Sequence, residues 1–284
     1  MGYKSVFSTK LFDDKVIIVT GGGSGIGRCT AHELASIGAN IVLVGRTKEK
    51  LKTVQAEIIE DGGTAEIFSC DIRDEESVVA CIDFALETFG KIDGLVNNAG
   101  GQFRSPAKDI STRGFEAVVR NNLVGGFIFM REVYNRWMEA NGGAIVNITS
   151  DMWYGWPNYA HSGAARGGMH TLTGSLADEW AWAGVRVNSV APGVIGSSGF
   201  DTYPEEAFEH IRTISAKVPL SRFGNESEVS AAIVFLLSPA ASFITGTCLR
   251  VDGGAPNARQ THDLQPAERG TPFDGFHRAK PIRG

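Results

Sequence analysis

Residues Thr20 to Gly27, TGGGSGIG, follow a short β-branched run and lead into a helical pattern. Glycines at Gly21, Gly23, Gly25 and Gly27 remove the side chains that would hold a diphosphate away from the backbone, and the amides of a helix start then meet its charge. Strand, glycine turn and helix in that order predict a dinucleotide site, with Ser24 and Ile26 in the same loop. Where the second strand ends, an acid would hold a ribose 2′-hydroxyl, but the chain has Gly45 and then Arg46. A guanidinium there can fork onto a 2′-phosphate, with Lys48 close by, so NADPH is predicted over NADH. Ser150 ends a later strand at the sheet's carboxyl edge, where its hydroxyl can donate to an oxyanion; strand alternation turns Thr149 away. The structural alternatives are a solvated arginine and a strand-ending serine.

The elements that must position these groups read as an alternation. Strands are predicted at VIIVT (16–20), NIVLVG (40–45), AEIFSC (65–70), DGLVNNAG (93–100), AIVNITS (144–150), VRVNSVAPG (185–193) and near 246–251. Helical patterns run from the glycine turn to Gly38 and over 47–60, 74–89, 111–139, 161–182 and 226–237. The strand runs are apolar on both faces, as in a parallel sheet covered on each side, so the fold class is α/β: a single Rossmann-like doubly wound domain over 1–284 with a seven-stranded parallel sheet. Residues 194–224 follow a strand's carboxyl end and read as a substrate lid or a surface loop with a short helix. Residues 256–284 hold four of the ten prolines and read as an extended C-terminal tail, either on a sister subunit or in solvent.

Composition narrows the function classes. A chain of 284 residues with 43% hydrophobic and 21% charged residues is globular and too short for a multidomain reading. A formal charge of -5 offers no basic stripe, so no nucleic-acid partner is expected. Cys29, Cys70, Cys81 and Cys248 fall singly, which predicts neither a metal site nor a disulfide framework. With no apolar leader and no run long enough to span a bilayer, the protein is expected to be soluble and cytoplasmic, without a membrane partner. Phe127, Phe129, Trp137, Trp180 and Trp182 on two helices predict a homo-oligomer, tetramer or dimer.

The T-G-x-x-x-G-x-G spacing, NNAG at 97–100, IVNITS ending at Ser150, VNSVAPG at 187–193 and VDGG at 251–254 resemble the short-chain dehydrogenase/reductase family across 15–254. The resemblance implies that Asp71 and Ile72 hold the adenine, that Asn98, Ala99 and Gly100 line the cofactor near its ribose, and that Pro192, Gly193 and Ile195 border the nicotinamide. A helix cap and turn residues are the bland alternatives. Asn122 would support the helix or a water chain, with Asn121 or a plain helix kink as the alternatives.

The family's Tyr-x-x-x-Lys pair is missing. Counted from Tyr159, the lysine place holds Gly163; counted back from RVN at 186–188, it holds Arg166 and the tyrosine place holds Ser162, which fits the family interval better. Arg166 keeps its charge and cannot relay a proton, and Ser162 is a very poor acid, so ketone reduction loses its usual proton donor. Reduction of a conjugated thioester instead builds an enolate that needs hydrogen-bond donors. GGQF at 100–103, HSGAARGG at 161–168 and LLSPAASFITG at 236–246 resemble the trans-2-enoyl-CoA reductase and 2,4-dienoyl-CoA reductase branch. The expectation is an NADPH-dependent reductase of an acyl-CoA-type substrate using Ser150, Asn122, Arg166 and Tyr159. Its proton donor is left among Tyr159, Tyr154, His170 and water; Asp151 or Met152 stands where relatives carry a tyrosine. An alcohol or 3-oxoacyl dehydrogenase using Ser150 and Tyr159, and a catalytically silent dinucleotide-binding protein, are the rival readings.

Overall fold

The computed structural model describes residues 2–197, 217–257 and 269–279, with 213, 264 and 267. Strands β1 (Val16–Thr20), β2 (Asn40–Gly45), β3 (Thr64–Ser69), β4 (Gly94–Asn97), β5 (Gly143–Ile148), β6 (Val185–Pro192) and β9 (Cys248–Val251) form one sheet in the order 3-2-1-4-5-6-9. Every pairing is parallel. A two-stranded ladder of β7 (Ile195–Gly196) and β8 (Gly224–Asn225) sits beside it. The seven expected strands therefore form the expected sheet.

β1 shows why both faces must be apolar. Ile17 and Val19 enter one core layer while Val16 and Ile18 enter the other, since side chains alternate along a strand. Helices α1 (Gly25–Ser36), α2 (Lys48–Glu60) and α6 (Glu226–Leu237) supply Leu34, Leu51 and Val229 to the first layer. The second takes Ile82 from α3 (Glu75–Phe89), Phe129 from the helical run α4 (112–141) and Met169 from α5 (Ala160–Trp180).

Local chemistry fixes the ends of these helices. Asp74 accepts the Glu76 N–H to start α3, and Gly90 at φ 73° ends it in the left-handed region. Asn225 and Glu228 form a reciprocal capping box at α6.

Three features depart from the sequence reading. α4 is not uniform: wide turns at Arg120–Val124 and Tyr134–Met138 interrupt it. Phe129 and Trp180, expected to serve an interface, are used inside, Phe129 in the core and Trp180 stacked 4.2 Å from Tyr134; Trp182 is exposed. Residues 273–279 of the expected tail return to the chain's own body. Phe276 is buried against Tyr3 and Cys29, and Arg278 binds Asp61. Most of the expected lid, 198–212 and 214–216, lies outside the described residues. Among those described, no helix is long and apolar enough to cross a membrane.

Candidate functional site

A cleft of about 170 Å³ opens beyond the carboxyl ends of β1 to β4, with Gly23, Ser24, Arg46, Asp71 and Gly100 among its lining residues. Its floor is the glycine turn. Gly21 and Gly25 adopt φ 67° and 56°, conformations that L side chains resist. A Cβ on Gly27 would lie 2.5 Å from the Gly21 carbonyl oxygen, so any other residue would push the turn open. α1 begins here with no acidic residue in its first turn, although Glu226 Oε1 of α6 lies 3.9 Å from where a Cβ on Gly25 would sit. A diphosphate fits this cradle of bare backbone.

Thr20 and Asn98 hold the cradle closed. Thr20 Oγ1 donates to the Val96 carbonyl and accepts the N–H groups of Asn98 and Ala99, each at 3.0 Å. The Asn98 amide donates to the Thr20 and Gly21 carbonyls at 3.0 and 3.3 Å. Asn98, expected to line the cofactor, instead spends its side chain on the turn, while Ala99 and Gly100 reach the cleft.

At the cleft's other end, Arg46 and Lys50 are exposed, and neither forms an ion pair among the described residues. Lys50 lines the cleft in the part expected of Lys48; the lysine-rich KEKLK run was the available signal, but its helical phase decides which lysine faces inward. Thr47, Leu51 and Cys70 also line the cleft and were not anticipated, and Asn121, the alternative to Asn122, lines it too. Asp71 does line it, and Arg73 grips its carboxylate at 2.6 and 2.9 Å. That grip outweighs burial and holds the Asp71 carboxyl down to about 2. Ile72 completes the wall.

The second register for the missing pair is the one the geometry brings to the cleft. Arg166 donates to the carbonyl of Ile148, two residues before Ser150. A Cβ on Gly100 would meet Arg166 Nη2 at 2.5 Å and Asn122 Oδ1 at 2.6 Å, so Gly100, Asn122 and Arg166 converge on one point. Asn122 is fixed there, donating to Gly101 O and Val118 O at 2.7 and 2.9 Å and accepting from Gly101 N, inside the wide turn of α4.

Among the described residues no carboxylate pairs with Arg166, and burial lowers its pKa to about 10, leaving it a cation near neutrality. Ser162 lies one helical turn earlier on α5. Its hydroxyl and that of Ser150 are buried without a hydrogen-bond partner, whereas Thr149 turns away to donate to Val190 O at 3.1 Å. A half-buried cation that meets no carboxylate among the described residues, with two hydroxyls lacking a hydrogen-bond partner, is complementary to an anion.

Tyr159 precedes α5 with its ring 5.1 Å from Trp156, and Tyr154 is 80% exposed. His170 approaches Trp153 at 6.2 Å and leaves Nδ1 buried without a partner. Pro192 and Ile195 are buried at the ends of β6 and β7, and Gly193 packs on Asp252; none of the three lines the cleft.

A family model described as Enoyl-(Acyl carrier protein) reductase matches residues 21–256. The peroxisomal 2,4-dienoyl-CoA reductase of Danio rerio is 38% identical over 257 residues, covering 89% of this chain and 85% of that protein. A probable 2,4-dienoyl-CoA reductase of Bacillus subtilis (strain 168) is 35% identical, covering 85% and 96%. Among solved structures, the citronellol catabolism dehydrogenase of Pseudomonas aeruginosa PAO1 is 56% identical at a TM-score of 0.80, covering 89% of this chain and 99% of that one.

Proposed function

The chain belongs to the short-chain dehydrogenase/reductase family, whose members use nicotinamide dinucleotides, and on that premise we propose that it reduces an enoyl or dienoyl thioester of coenzyme A with NADPH. The observation carrying this reading is the Arg166 cation, which pairs with no carboxylate among the described residues, on the same helix face as Ser162 and beside the strand end that bears Ser150, at a place where the family's tuned acid is missing. Such a site can stabilise a developing enolate but cannot readily hand a proton to an alkoxide. Bound in the cleft, the reduced nicotinamide would supply a hydride for the β-carbon. Ser150 donates to the thioester oxygen as its charge grows. Arg166 and Asn122 orient the ribose end and steady the local negative charge. Arg46 and Lys50, which form no ion pair among the described residues, would receive the 2′-phosphate.

A second reading, oxidation of a citronellol-like alcohol, is favoured by the 56% identity to the Pseudomonas aeruginosa dehydrogenase. It asks Tyr159 or a neighbour to serve as the base. The two readings separate in one panel: NADPH consumption with crotonyl-CoA, a 2,4-dienoyl-CoA and a 3-oxoacyl-CoA, beside NADP+ reduction with citronellol. Turnover of the enoyl or dienoyl thioester alone supports conjugate reduction. Turnover of citronellol or the 3-oxo thioester alone replaces it with the dehydrogenase.

A further inference from the structure

Conjugate reduction gathers negative charge on the thioester oxygen, and an oxyanion is held best by more than one donor already aimed at it. Ser150 is one such donor. The helix that carries Ser162 and Arg166 holds another, on a residue that the motif spacing did not single out. His161 is the second residue of α5 and is fully buried. Its Nδ1 accepts the backbone N–H of Ser162 at 2.8 Å. A ring nitrogen that accepts keeps its lone pair and carries no proton, so the neutral ring bears its hydrogen on Nε2. That Nε2 is buried and has no hydrogen-bond partner among the described residues. A buried N–H without an acceptor is costly, and it calls for an acceptor that arrives from outside the chain.

Contacts on two sides place the ring at the inner end of the cofactor cleft. Along α5, Ser162 follows it directly, and one turn beyond Ser162 Arg166 packs against Gly100, a lining residue of the cleft. Across from α5, Phe103 meets the ring edge to face, with centroids 4.4 Å apart. Phe103 continues the segment that begins at Gly100. Gly101 exchanges hydrogen bonds with Asn122, and the Ser105 N–H donates to Asn158 O at 2.9 Å, just before α5. His161 Nε2, Ser162 Oγ and Ser150 Oγ are thus three buried donors without partners. Two stand on adjacent residues, and the third follows the β5 end to which Arg166 bonds.

We propose that His161 is a catalytic residue of the reduction, its Nε2–H donating to the thioester oxygen beside Ser150 as the enolate forms; the proposal rests on the conjugate-reduction reading. The Ser162 amide occupies the Nδ1 lone pair, so the ring acts as a fixed neutral dipole and keeps its proton throughout.

The test separates the two ring nitrogens. In His161→Asn the side-chain oxygen can still take the Ser162 N–H, while the Nε2 donor is gone. In His161→Gln an amide N–H stands near the Nε2 position. With crotonyl-CoA and NADPH, His161→Asn is expected to lose about 10²–10³ in kcat and His161→Gln less than about tenfold, with NADPH affinity by fluorescence unchanged in both. A His161→Asn variant within about threefold of the unmodified protein, or a His161→Gln variant as impaired as His161→Asn, overturns the assignment. The unmodified protein gives a second readout that needs no variant to fold. With isotope-labelled histidine, the Nε2–H proton resonance of His161 should move downfield when butyryl-CoA joins the NADP+ complex, and a resonance that stays in place overturns the assignment alone. An unmodified protein that turns over no enoyl or dienoyl thioester overturns the underlying reading as well.

Discussion

At the scale of single residues, the account turns on cations that form no ion pair among the described residues. Arg46 and Lys50 bracket the far end of the cleft, so Gly45→Asp with Arg46→Leu should reverse the cofactor preference. The loss of a forked contact to phosphate is worth about 1.5–3 kcal/mol, or tenfold to a hundredfold in kcat/KM for NADPH. Steady-state kinetics with both cofactors check it, and equal efficiency in the unmodified protein would remove the role given to Arg46. Ser150→Ala removes a preorganised donor and should cost about 10²–10³ in kcat with an enoyl thioester, while Tyr159→Phe should cost less than about tenfold. The reverse ranking would return the proton-donor role to Tyr159. Much at this scale was readable from spacing: counting back from RVN put Ser162 and Arg166 at the missing pair, and the structure seats Arg166 against Gly100 and the β5 end. The use of Asn98 was hidden. An asparagine in a turn motif looks the same whether its amide faces a ligand or, as here, the carbonyls of Thr20 and Gly21.

At the scale of elements, parallel strands were legible because burial on both faces leaves continuous apolar runs, and the helical patterns over 74–89 and 226–237 begin within one residue of where Asp74 and Asn225 cap the helices. The wide turn at Arg120–Val124 was not, because nothing in RNNLV distinguishes it from ordinary helix until Asn122 is seen bonding to Gly101. The α1–α2 contact carries a separate, pH-dependent load. His32 on α1 is 1% exposed at its side chain, with Nε2 3.2 Å from Glu57 and Nδ1 3.4 Å from Asp61. Burial outweighs both carboxylates and lowers its pKa to about 4. Unfolded chains bind a proton at this histidine below about pH 6.5, while the folded chain resists until about pH 4. Its contribution is therefore present above pH 6.5 and lost as pH falls through that window, by up to about 3 kcal/mol. Glu57 and Asp61, both held below their usual range in part by Arg28 and Arg278 respectively, extend the loss to lower pH. Urea melts between pH 7 and 4 should show the decline, and His32→Gln should flatten its upper part; an unchanged slope in that variant would contradict the assignment.

At the scale of the whole molecule, the two ends of the chain meet behind the cofactor cleft. Lys4 N–H donates to Gly275 O, Phe276 N–H donates to Ser227 Oγ, and Arg278 forks onto Asp61 at 2.9 and 3.1 Å. The segment thus rests on α1, whose start forms the cofactor cradle. Proline content made this stretch look like a linker, and of these partners all but Ser227 lie more than 200 residues away along the chain, beyond the reach of any local pattern. Phe276, 2% exposed and lying under Arg28 at 5.0 Å, should cost about 3 kcal/mol when replaced by alanine, measured as a lower urea midpoint. A midpoint within error of the unmodified protein would mean that the segment adds nothing. The central claim concerns the site this scaffold builds, and isotope transfer reads it directly. With NADPH carrying deuterium at the transferable position and crotonyl-CoA as acceptor, the account predicts butyryl-CoA with deuterium on its β-carbon. Unchanged crotonyl-CoA, in a preparation that does pass deuterium to a 3-oxoacyl-CoA or oxidises citronellol, would contradict it.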